Sequence, residues 1–277
     1  MNDRDIQFGI ASPREIPTWS LALPFIPLGL WLVLHFALPE PALFYALNHS
    51  GKVAPDAFWG FFVFLGNGWG VFALCFPLLL FAPRLIIAGA VGGAIAGLLS
   101  KTLKPLIAEP RPLGVLDPDT FIIIGRQLKS FSMPSGHTLT AFAIAAGIYF
   151  AIPAARRQPF WWLFVLAALA GLSRVTVGAH WPADVFAGAA IGLFSGIMGA
   201  YVTTKLPRRL YEPQSWLMRQ VAVMGLVAIY TLFTDRLDFE LNRPYQIVGL
   251  VAIFITLTHF VPISLRGQGE HALHQPK

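Results

Sequence analysis

The sequence predicts an all-α, polytopic membrane bundle, and three observations lead there. Hydrophobic residues make up 56% of the 277 and charged residues only 12%, against about 25% charged in an ordinary soluble chain. Mean hydropathy is high, at +0.63. Apolar runs of about 17–25 residues, the length that crosses a bilayer, recur from one end to the other. The net charge of +6 and pI near 9.7 do not indicate nucleic acid, because the basic residues are scattered over short loops rather than gathered on a soluble face. The single Cys75 lies in an apolar stretch, which excludes both a disulfide framework and a thiolate metal site.

Residues 1–18 are polar and mixed in charge (Asp3, Arg4, Asp5, Arg14, Glu15) and are expected on the cytoplasmic side. No small-residue cleavage site follows the first apolar run, so that run reads as an uncleaved span. Spans are expected at Trp19–Leu38, Gly68–Phe81, Leu85–Leu103, Ser135–Ile152, Pro159–Leu172 and Ala183–Thr203. These six form a core over 19–203. Two further spans, Trp216–Phe233 and Tyr245–Ile263, fall within 204–264, and a polar tail occupies 265–277. The second span is short and either borrows turns from Phe58–Leu65 or is partly interfacial. Ahead of it, "PEPALFYALNHSGKVAPDAFWGFFVFLGNG" is too broken by Pro and Gly to cross, and its aromatics suit the headgroup layer. Gly89, Gly93 and Gly97 in the third span and Gly188, Gly192 and Gly196 in the sixth recur at four-residue spacing. Such stripes let helices approach closely; if they pack, both spans belong to one tight bundle.

Lys and Arg set the orientation. With the N-terminus inside, eleven lie inside and nine outside, and the purely basic loops "AARRQ" and "TKLPRRL" both fall inside. Three polar clusters then emerge together on the outer side. In "KPLIAEPRP", Lys104 is expected to end the third span because Pro105 cannot continue the hydrogen bonding. Pro110 and Pro112 hold Arg111 extended. A point charge and a guanidinium at fixed separation suit a phosphate, although snorkelling cations look the same. In "PSGH", Pro134, Ser135 and Gly136 turn into the fourth span, and the amides at its start form an anion site. Ser135 reads equally as an N-cap and His137 as an interfacial histidine. In "SRVTVGAHWPAD", Arg174 closes the fifth span, and Asp184, one turn into the sixth, can reach back to His180. A carboxylate on one imidazole nitrogen makes the other a better nucleophile; an Asp at a helix start beside an incidental His is the plainer reading. Together the clusters are far more specific than apart, because ionisable groups at the edge of lipid are costly.

These clusters resemble the signature of the type 2 phosphatidic acid phosphatase (PAP2) superfamily of membrane lipid phosphatases: Lys, six residues, Arg-Pro; then Pro-Ser-Gly-His; then Ser-Arg, five residues, His, three residues, Asp. Every fixed position is matched, and the resemblance covers about Gly68 to Thr203. It implies that His180 attacks phosphorus to form a phosphohistidine, that Asp184 holds its ring, and that His137 protonates the leaving group and then activates water. Lys104, Arg111 and Arg174, with Ser135 and the Gly136 amide, would bind the phosphoryl oxygens. No cofactor or divalent metal is implied, since positioned cations can supply the electrostatic stabilisation.

The implied function is a metal-independent phosphatase acting on a bilayer lipid such as undecaprenyl diphosphate, phosphatidic acid, phosphatidylglycerol phosphate or lipid A. It would work on the periplasmic face of a bacterial inner membrane. A phosphotransferase passing the group from His180 to another lipid would use the same residues. A lipid or anion transporter would need polar residues strung through the spans, whereas charges here keep to span ends. Loop 113–133 reads either as a wall near the head group or as a passive connector. His35 and His259 read as core or interfacial residues, and His271 and His274 as a poor metal site.

Overall fold

Length and apolarity shape the architecture as expected. The computed structural model describes residues 15–272 apart from 38 and 238, with side chains to Arg266. The expectations for residues 1–14, for the side chain of His271 and for His274 lie outside what is described. The main helices are α1 (Phe25–Phe36), α2 (Glu40–Ser50), α3 (Asp56–Gly66), α4 (Gly68–Cys75), α5 (Pro83–Ile107), α6 (Gly136–Ala151), α7 (Trp162–Thr176), α8 (Pro182–Lys205), α9 (Trp216–Thr234) and α10 (Arg243–Ala272). No strand occurs among the described residues. Five helical segments are long and apolar enough to span, two more form bent pairs, and α6 is a shorter apolar helix. Together they correspond to the eight expected spans, and the chain is an integral membrane protein.

The second span takes turns from Phe58–Leu65, one of the two readings the sequence left open, and the third span differs from its expected end. The second span is α3 and α4 joined at an angle of 82°, with Asn67 capping α4 by accepting from the Trp69 and Gly70 amides at 3.0 and 3.4 Å. Of the aromatics ahead of α4, Phe44 and Trp59 are buried in protein while Phe58 is exposed. The third span runs past Pro105 to Ile107. A proline in the last turn forfeits only one bond, and the Ala108 amide still closes on the Lys104 carbonyl at 2.9 Å.

The centre of the bundle is α5, α6 and α8, mutually packed; α7 lies on α6 and α3, α1 leans on α8, and α9 pairs with α10 against α4. Between membrane helices there is no apolar-against-water driving force, so close packing of small residues holds them together. The glycine stripe of α8 does pack tightly, but against α6. A Cβ at Gly188, Gly192 or Gly196 would lie 2.7, 2.5 or 2.3 Å from the carbonyls of Ser135, Leu139 and Ala143. On α5 the packed row is Ala88, Gly92 and Ala96, all buried, and a Cβ at Gly199 of α8 would lie 2.4 Å from the Ala88 carbonyl. The Gly89/Gly93/Gly97 row sits about 100° further round the helix. Gly89 meets Ile144, while Gly93 and Gly97 meet nothing within 4 Å.

Candidate active site

Alternating helix direction brings four ends to one place: the last turns of α5 and α7 and the first turns of α6 and α8. Lys104 and Arg174 come from the former pair, His137 and Asp184 from the latter, and Arg111 and His180 from the adjoining loops. His180 feels the charges of Arg111, Lys104 and Arg174 and its neighbour His137. All three sequence clusters therefore meet in one site.

The turn into His180 is fixed by backbone. The amides of Ala179 and His180 both donate to the Arg174 carbonyl, at 3.0 and 3.1 Å. Gly178 has φ +77°, and a Cβ there would lie 2.4 Å from the Ile122 carbonyl, so only glycine fits. Pro182 starts α8 at a position proline tolerates, which places Asp184 in the first turn. Its Oδ2 accepts from the Trp181 amide at 2.8 Å and lies 3.0 Å from His180 Nδ1.

His180 Nε2 lies 3.0 Å from Arg111 Nη1. A guanidinium only donates, so Nε2 is the acceptor and Nδ1 bears the proton that Asp184 receives. This is the tautomer that carries its lone pair on Nε2, which here accepts from Arg111 and would be free to attack once Arg111 turns to a phosphate. Burial, followed by the nearby Arg111, Lys104 and Arg174 charges, holds the His180 pKa well below its usual 6.5. The sign favours nucleophilicity, because the ring stays neutral as pH falls through the ordinary histidine range and is protonated only below it.

The cations are set by loop carbonyls. Lys104 Nζ donates to the Phe131 and Ser132 carbonyls at 3.1 and 2.8 Å, and an ammonium has a third donor to offer. Arg111 donates from Nε to the Ser130 carbonyl at 3.0 Å and from Nη1 to the Ala179 carbonyl at 2.7 Å. Arg174 is 2% exposed. Ser135 does not cap α6 with its side chain. Its amide donates to the Asp184 carbonyl at 3.1 Å and its hydroxyl accepts from Thr138 at 2.9 Å. A Cβ at Gly136 would meet only Ser100 Oγ, at 3.8 Å, so the start of α6 is not filled by protein.

Sequence reasoning missed Ser132. It is fully buried, its hydroxyl donates to Asp184 Oδ2, and it lies 3.3 Å from His180 Nδ1. Its amide donates to the Glu109 carbonyl at 2.7 Å. A small polar residue in "SFSMPSGH" was the available signal. Asn48 and Trp181 were missed too. The Asn48 side chain donates to the Ile122, Val175 and Thr176 carbonyls and accepts from the Ile122 amide. The Trp181 indole donates to the Pro110 carbonyl at 2.8 Å. Loop 113–133 is thus a bonded wall of the site, with Phe121 packed on Phe44, Val175 and Trp181, rather than a passive connector. His35 stacks on Trp31, and His259 Nδ1 lies 2.8 Å from the Ile255 carbonyl of its own helix; neither belongs to the site.

The segment that carries most of this constellation has known relatives. The model of the PAP2 superfamily matches residues 85–208. Lipid A 1-phosphatase of Porphyromonas gingivalis is 30% identical over 122 residues, 43% of this chain and 24% of that protein. Undecaprenyl-diphosphatase of Sulfolobus acidocaldarius is 30% identical over 122 residues, 43% of this chain and 55% of that protein. The chain thus spans between a quarter and about half the length of these relatives. The crystal structure of Aquifex aeolicus LpxE superposes with a TM-score of 0.50 at 29% identity, covering 59% of this chain and 96% of that one. The segment that matches the PAP2 superfamily model, residues 85–208, contains Lys104, Arg111, Ser132, Ser135, Gly136, His137, Arg174, His180 and Asp184.

Proposed function

We propose that the protein is a metal-independent lipid phosphatase that works through a phosphohistidine on His180. The observation that supports this most is the polarised ring: Nδ1 on Asp184 at 3.0 Å and Nε2 against a guanidinium at 3.0 Å. In the first step Nε2 attacks phosphorus, the bond from phosphorus to the ester or bridging oxygen breaks, and His137 gives that oxygen its proton. In the second, His137 takes a proton from water, the resulting hydroxide attacks phosphorus, and the P–N bond breaks to release phosphate. Lys104, Arg111 and Arg174 offset the charge that spreads over the equatorial oxygens, with Ser135 and the Gly136 amide completing the cradle. Substrates are lipid phosphates or diphosphates in the bilayer, in keeping with relatives named for lipid A and undecaprenyl diphosphate. The basic loops Ala154–Arg157 and Arg208–Tyr211 lie at the helix ends opposite the site, which supports a site on the outer, periplasmic face of an inner membrane.

The test is release of inorganic phosphate from purified lipids by the detergent-solubilised protein. Substituting His180→Ala is expected to abolish turnover while the protein keeps its helical content, and EDTA is expected to have no effect. Activity that survives the substitution, or is lost on chelation, contradicts the mechanism.

A further inference from the structure

An apolar recess lies beside the site rather than in it. A groove of about 850 Å³ runs between α4, α5, α6 and α9, within the roughly 300–1,000 Å³ typical of ligand pockets. Its floor on α5 is the row that packs against nothing: Gly93 and Gly97 have no neighbour within 4 Å of a built Cβ. Lys101 is the one charged residue on its wall, and it stands at the end nearest the site.

Helix register ties groove to site. On α5, Gly93, Gly97, Lys101 and Lys104 follow at steps of three and four, so Lys104 continues the groove face. On α6, Thr140, Ile144 and Ile148 line the groove, and His137 is one turn above Thr140 on the same face. At the top of α4, Gly68 and Trp69 line the groove, just after Gly66, where a Cβ would lie 2.9 Å from the Cβ of His137. The groove therefore opens toward a phosphate held at Lys104 and His137, and its opposite wall is α9, which lies outside the matched segment 85–208.

Its length discriminates among lipids. From Lys101 to Leu85, both on its wall, α5 rises about 24 Å at about 1.5 Å per residue. One leaflet of a hydrocarbon core about 30 Å thick is only about 15 Å deep. A fatty acyl chain confined to its leaflet would leave the lower part of this groove unused. We infer that the groove receives the hydrocarbon tail of a polyprenyl phosphate or diphosphate, a single chain long enough to pass the midplane, while its head group occupies the His180 site. This inference rests on the phosphatase reading above and names the substrate class for it.

The full-length protein is assayed against undecaprenyl diphosphate, phosphatidic acid and the chain-free ester p-nitrophenyl phosphate. Ala90→Leu obstructs the groove about 16 Å below Lys101, just past one leaflet, at an exposed helical position. It is expected to lower the ratio of kcat/KM for undecaprenyl diphosphate over p-nitrophenyl phosphate roughly tenfold or more, with no change in the same ratio for phosphatidic acid. Gly97→Leu, near the mouth, is expected to lower both ratios. Ratios cancel the fraction of active protein, so a folding loss cannot imitate the effect. If Ala90→Leu moves neither ratio, or moves both equally, the groove does not hold a polyprenyl tail. If the unaltered protein releases phosphate from none of the three, or does so equally well with His180→Ala, the phosphatase reading fails instead.

Discussion

At the scale of single residues, the site is a set of hydrogen bonds that leave little choice of protonation. Arg111 can only donate, so His180 Nε2 accepts and Nδ1 faces Asp184. Ser132 completes the arrangement by donating to the same carboxylate oxygen. Hydrogen bonds to charged groups contribute about 1.5–3 kcal/mol. Ser132→Ala is therefore expected to lower kcat by roughly tenfold to a hundredfold with KM little changed, since the hydroxyl touches the pair and not the phosphate. Steady-state kinetics on one lipid checks this, and a rise in KM at constant kcat would contradict it. The convergence of Lys104, Arg111, His137, Arg174, His180 and Asp184 was legible in the sequence because phosphate chemistry fixes residue type and spacing. Ser132, Asn48 and Trp181 were not, since each acts through a partner between 48 and 128 positions away that only the fold brings near.

At the scale of helices, the sequence revealed the spans but not their faces. Glycines four apart signalled close packing, and α8 bears this out against α6. On α5 the eye falls on Gly89, Gly93 and Gly97, while the packed row is Ala88, Gly92 and Ala96, one position round the helix. Both rows are small, so composition alone could not choose between them; the partner's surface did. The two rows should respond oppositely to an added methyl. Gly199→Ala would place Cβ 2.4 Å from the Ala88 carbonyl and 2.6 Å from the Gly92 amide nitrogen, both backbone atoms that cannot yield without moving a helix. A loss of about 1–3 kcal/mol or more is expected. Gly97→Ala meets open space and gains about 0.8–1.0 kcal/mol of helix propensity. Thermal unfolding in detergent should fall for the first and hold or rise for the second; the reverse order would contradict the packing described. The bent second span and the helix continuing through Pro105 were illegible for a related reason. Proline and glycine mark where a helix can break, and neighbouring packing decides whether it does.

At the scale of the whole molecule, the polar groups of the site gather at one end of the bundle and two basic loops at the other. This separation follows from alternating helix direction and was legible once the spans were counted. The topology proposed from it is testable with two exposed positions. Gln127→Cys, in the loop walling the site, is expected to react with a membrane-impermeant maleimide on intact cells. Gln214→Cys, between α8 and α9, should react only after the membrane is opened. Labelling in the opposite order would turn the protein over. The central claim, a covalent phosphate on His180, is tested most directly by trapping it. His137→Ala removes the group proposed to activate water, so the intermediate should accumulate when a lipid phosphate ester with a good leaving group, labelled in its phosphate, is supplied. The account predicts a labelled protein whose label is stable to base, labile to acid and mapped to His180, and no label in a His137→Ala, His180→Ala double variant. A label on any other residue, or an equally labelled double variant, would contradict it.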